Sequence, residues 1–120
     1  MISVGVGFVA SATSQKVAHD LVIEELGSVR DNYQILVDGR QPGNARQILS
    51  ALQTLQWLPA HHSNPTKRII LQISDDSRNL VLWLARDSGN PREYWVFYPK
   101  YRVTASNEIG RIITPIFDGY

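Results

Sequence analysis

The chain has no cysteine. Disulfides, thiolate metal sites, a nucleophilic thiol and a lipidated N-terminal cysteine are therefore excluded. The absence suits cytosol and periplasm equally, so it does not locate the protein. Neither sign of charge dominates: twelve Lys and Arg face eleven Asp and Glu, for a formal charge of +1. Nucleic acid and anionic membrane both demand a concentrated basic field. Here the arginines are strung out, as Arg30, Arg40, Arg46, Arg68, Arg78, Arg86, Arg92, Arg102 and Arg111. No nucleic-acid partner is expected. Long apolar runs are missing too, and none approaches the roughly 20 residues of a membrane-spanning helix. No repeat of solenoid period and no low-complexity stretch occurs. The nucleophile-elbow pattern Gly-x-Ser-x-Gly is absent, and Gly5-x-Gly7 lacks the third glycine of a phosphate-binding loop. No cofactor is implied.

What is present describes a globular chain. Its 120 residues are 43% hydrophobic and 19% charged, the composition and size of one domain with one core.

Residues 1–12 differ from the rest. Met1 to Ala12 carries no charged side chain, and Ala10-Ser11-Ala12 has the small-x-small form that signal peptidase accepts. The expected organisation is a signal-peptide remnant over 1–12 and a single α+β domain over 13–120, in a periplasmic or secreted protein. The basic residues that usually open a signal peptide are missing. In the alternative, Val4, Val6, Phe8 and Ala10 alternate as a buried first strand, and the protein is cytoplasmic.

Along the domain, Val17 to Leu26 reads two ways. Ser14 and Gly27 suit a capped helix, whereas Val22-Ile23 and the turn-rich Gly27 to Asn32 suit the first arm of a hairpin. The hairpin is the expectation adopted, with Tyr33, Ile35 and Val37 in the second arm and Asp38-Gly39 as a turn. Ala45 to Gln56 is a helix by its stripe of Ala45, Ile48, Leu52 and Leu55. Asn44 and Gln47 are placed for a capping box, and Pro59 bars continuation. Three strands then form a meander, around Ile69 to Ile73, Asn79 to Arg86 and Glu93 to Tyr98. Their connectors, Asp75-Asp76-Ser77 and Asp87 to Pro91, are turn sequences. From Thr104 onward, Ile109, Ile112, Ile113, Ile116 and Phe117 fit one face of a helix kinked by Pro115. The expected fold is an α+β antiparallel sheet of about five strands, ordered strand–strand–helix–strand–strand–strand–helix, with helices packed on it.

Candidate chemistry is sparse. His61-His62 could hold a metal or move a proton near neutral pH, yet adjacent histidines point apart and a zinc site needs three or four ligands. Ser63, His62 and Asp75 or Asp87 supply the residue types of a hydrolytic triad without its motif. Arg86-Asp87 and Arg92-Glu93 flank the last turn, where they could pair across it or form a charged tip. The aromatic cluster stands out: Trp83, Tyr94, Trp95, Phe97, Tyr98 and Tyr101. Alternation places Tyr94, Val96 and Tyr98 on one face and Trp95 and Phe97 on the other. A sheet with one solvated face alternates apolar with polar. This hairpin is apolar on both faces, so each needs covering, by helices or by a partner.

Trp, Tyr and Arg are enriched at protein interfaces. The expectation is a non-enzymatic binding or inhibitor-type protein, docking a protein or envelope partner through Trp83, Arg92, Tyr94, Trp95, Phe97, Tyr98 and Tyr101. A small hydrolase or metal-dependent enzyme centred on His61-His62 and a structural homodimer are the alternatives.

Overall fold

The computed structural model describes residues 14–59, 62–101 and 107–120. Residues 1–12 and His61, with the expectations attached to them, lie outside the described residues.

Seven elements occur among the described residues: helix α1 (Gln15–Gly27), strand β1 (Gln34–Val37), helix α2 (Ala45–Leu52), then strands β2 (Pro65–Ser74), β3 (Asn79–Asp87), β4 (Glu93–Phe97) and β5 (Gly110–Ile113). The strands form one sheet in the order β1-β2-β3-β4-β5, with every neighbouring pair antiparallel. Five antiparallel strands with two helices packed against them make an α+β fold, as expected.

The element order needs two corrections. The stretch read as the first arm of a hairpin is helix α1. The Ser14 hydroxyl accepts the Val17 N–H at 3.1 Å, and Ala18, Val22 and Leu26 form a buried stripe at four-residue spacing. Its β-branched residues cost only tenths of a kcal/mol each in helix propensity, which burial of that stripe outweighs. The C-terminal stretch expected as a helix is strand β5, with Tyr94 opposite Ile112 and Glu93 opposite Ile113. Its isoleucines suit either period, but Gly110 lies at φ +140, outside the helical region, and Pro115 would interrupt a helix.

Helix α2 is where its stripe puts it, though Asn44 makes no side-chain capping bond and the helix ends at Leu52 rather than Gln56. Bonds from Thr54 N–H to Ala51 O and from Leu55 N–H to Leu52 O tighten the last turn. Gln56 then exchanges two backbone bonds with Arg111, of 3.1 and 2.8 Å, tying the end of α2 to β5.

Both turns of the meander are built by an aspartate. Asp75 accepts the N–H groups of Ser77 and Arg78, and Asp87 those of Gly89 and Asn90. Both helices pack on the same face of the sheet. Ala18, Val22 and Leu26 of α1 and Ile48 and Leu52 of α2 share one core with the inward residues of all five strands. No helix among the described residues is long and apolar enough to cross a membrane.

Candidate functional site

Because both described helices lie on one side, the other side of the sheet carries no helix among the described residues. Strand alternation and register bring Arg68 and Ile70 of β2, Val81, Trp83, Ala85 and Asp87 of β3, Glu93, Trp95 and Phe97 of β4, and Arg111 and Ile113 of β5 onto this far face. Ile70 lies opposite Trp83, and Trp83 opposite Phe97; Arg68 lies opposite Ala85, Ala85 opposite Trp95, and Trp95 opposite Arg111.

One end of this face is sealed. Ala85, Trp95 and Phe97 form a small second cluster separate from the main core, with Trp95 at 6% and Phe97 at 4% exposure. The Arg111 guanidinium stacks 4.1 Å from the Trp95 ring centre. It is itself buried, held by Glu93 at 2.7 Å and Glu108 at 3.0 Å. The Trp95 indole N–H donates to Asp87 at 2.8 Å, as does the Ser63 hydroxyl at 2.6 Å. Burial by itself would raise the Asp87 carboxyl. The donors Ser63, Trp95, Asn90 and Gly89 together outweigh it and bring the group down to about 2.

The other end is open. Ile70 is 42% exposed, Arg68 is exposed, and Trp83 and Val81 are half-buried between the strands. The Arg68 guanidinium carbon sits 4.2 Å from the Trp83 ring centre. This stack covers part of the indole while leaving the N–H groups of Arg68 available. At the opposite edge Ile113 is 54% exposed.

The residues expected to form one docking cluster fall into three places. Trp83, Trp95 and Phe97 lie on the far face, and only Trp83 of these offers appreciable surface. Tyr94 is fully buried in the main core, edge-on to Phe117, so its ring meets no partner. Tyr98 and Tyr101 pack against the main core from its margin, and burial, with the Glu25 charge, pushes the Tyr98 phenol above its ordinary value. Arg92 stands at the hairpin tip, paired with Asp118 at 2.6 Å. The pairing weighed across the tip does not form: Arg86 donates instead to Tyr94 Oη and the Phe117 and Tyr120 carbonyls, and Glu93 accepts a buried bond from the Arg111 guanidinium.

Of the catalytic candidates, His62, Ser63, Asp75 and Asp87 lie among the described residues and His61 does not. Asp87 accepts directly from Ser63, whereas a triad needs histidine between serine and acid. His62 is exposed, and among the described residues no group of three His, Cys, Asp or Glu is placed to hold a metal ion.

Sequence reasoning missed Arg68 and Ile70. A signal existed. Once the turn at Asp76-Ser77 sets Ser74 opposite Asn79, counting back along the ladder brings Ile70 opposite Trp83. No protein-family model, curated protein or solved structure matches this chain.

Proposed function

We propose that this chain is a non-enzymatic binding protein, exported to the periplasm or beyond, that docks a protein partner through the open part of its far sheet face. The observation that carries the reading is the one-sided placement of the helices. With α1 and α2 both spent on one core, Trp83 remains half-buried between Arg68 and exposed Ile70. An indole flanked by an aliphatic side chain and an arginine has the composition of an interface anchor. The contact set of this reading centres on Trp83, with Arg68 and Ile70 beside it. Trp95 and Phe97 support the surface from within.

A photo-crosslinking side chain placed at Ile70 tests the site, with the same group at Ile23, exposed on α1, as its control. The reading expects a discrete adduct from position 70, lost when Trp83→Ala is added, and none from position 23. Equal adducts at both positions, or none at 70 in cells that make the protein, overturn it. Export rests on the uncharged Met1 to Ala12 run and its Ala10-Ser11-Ala12 ending. Mass spectrometry of protein from its native cells should find residues 1–12 removed; a mature chain that still begins at Met1 refutes export.

A further inference from the structure

Strand β2 runs for ten residues, whereas β1 has four and pairs only with Leu71 to Ser74. Among the described residues, half of the outer edge of β2 therefore has no strand beside it. Asp38 closes the join: its N–H donates to Ile70 O, and its carboxylate accepts the Ile70 N–H, each at 2.8 Å. The chain then reverses at Asp38-Gly39, with φ of 49 and 83, and leaves the sheet. These bonds show that Ile70 turns its backbone groups away from β3. Alternation turns the Arg68 backbone the same way, at a point β1 does not reach. Thr66, Lys67 and Arg68 are all exposed there. Among the described residues, no backbone bond of Arg68 occurs outside the β2–β3 ladder.

An open edge invites another strand, and this one is selective. Pro65, the irregular register between Pro65 and Arg68, and the cations Lys67 and Arg68 are the devices by which sheets repel unwanted strands. A second copy presenting the same edge would set Lys67 and Arg68 against their own kind. Neither cation has a carboxylate at ion-pair distance among the described residues, whereas Arg30 and Arg92 each have one and Arg78 and Arg111 each have two. Arg68 is also held against Trp83, which orients its planar fork of donors before any carboxylate arrives.

We propose that the edge of β2 from Thr66 to Arg68, next to the Asp38–Ile70 join, takes an extended acidic segment of a partner protein, which adds to the sheet beside β2 and sets a carboxylate on Arg68. This rests on the far-face docking reading and names its partner chemistry. Main-chain bonds supply the attachment and charge supplies the selection.

Isotope-labelled full-length protein, titrated with a short synthetic peptide alternating glutamate with valine, tests this by NMR. Shift changes should concentrate on Thr66 to Arg68 and the Trp83 indole, with slowed hydrogen exchange at the Arg68 amide. The counterpart peptide with lysine for glutamate should leave the spectrum unchanged. Arg68→Glu, at an exposed site, should weaken the acidic peptide by about tenfold or more. No binding of the acidic peptide, equal binding of both, or shifts centred elsewhere overturns the proposal. The two readings also fail separately. If crosslinks from position 70 persist and depend on Trp83 but ignore Arg68→Glu, the docking face stands and the acidic strand does not.

Discussion

Ser63, Gly89, Asn90 and Trp95 all donate to the carboxylate of Asp87, which joins the residues before β2 to the β3–β4 turn and fixes the Trp95 indole. Because the folded chain holds this carboxyl near 2 against an ordinary 3.8, Asp87 stabilises the fold most when ionised in both states, above about pH 4. That contribution, about 2 kcal/mol, is lost as pH falls from near 4 through about 2. Asp75, held down in the same way by the Arg30 and Ser77 N–H groups, adds to the same acid limb. Urea unfolding followed from pH 6 downward should show level stability and then a steep loss below about pH 4. In Asp87→Asn the new amide N–H groups would face backbone donors. Stability near neutral pH should drop by about 1–3 kcal/mol, and the acid limb should become shallower. A variant with wild-type stability at every pH would refute this role for Asp87. The same residue shows what composition leaves open at this scale: Ser63 and Asp87 have the residue types of a triad, and their direct bond, which no sequence pattern announces, forms a turn clamp.

At the scale of elements, the join between α2 and β5 is the most demanding. Gly110 sits at φ +140, and a Cβ there would lie 2.9 Å from Leu55 Cδ1 and 3.1 Å from the Gln56 carbonyl oxygen. The leucine tip can shift, but the backbone oxygen belongs to the Gln56–Arg111 bridge and cannot do so without breaking it. Gly110→Ala should therefore cost about 2 kcal/mol or more, from backbone strain and crowding together, as measured by the shift in urea midpoint at unchanged slope. Gly43→Ala, at a position with open space around it, is the control. Legibility followed local determinism. The meander β2–β3–β4 could be read because its turns carry their own chemistry in Asp75 and Asp87 and its strands are short apolar runs bounded by those turns. Helix α2 could be read because Ile48, Leu52 and Leu55 repeat at one period. Helix α1 and strand β5 could not, since Val17 to Leu26 and Ile109 to Phe117 each satisfy two periods. What chose between them was distant in sequence: the core under Ala18, Val22 and Leu26, and the edge of β4 that β5 covers.

At the scale of the molecule, one core joins α1, α2 and all five strands, so thermal and urea unfolding should each follow a single transition shared by far-ultraviolet and tryptophan signals. The far face adds less. Trp83→Ala removes a half-buried ring and should cost about 1 kcal/mol, below the roughly 3–5 kcal/mol of a core tryptophan. It should leave that single transition in place, which lets the crosslinking test report on docking rather than on folding. Light scattering should find a monomer; a stable dimer that Trp83→Ala dissociates would put a second copy where the partner is proposed. The chain's own pattern determined that it folds as an antiparallel α+β domain and that the hairpin from Asn79 to Phe97 is apolar on both faces, because alternation and turn chemistry act between near neighbours. Tertiary structure alone decided that both helices share one side, that Tyr94 is interior while Trp83 meets solvent, and that β1 stops short of Arg68. Those outcomes depend on which distant surfaces pack together, and no local period encodes that choice.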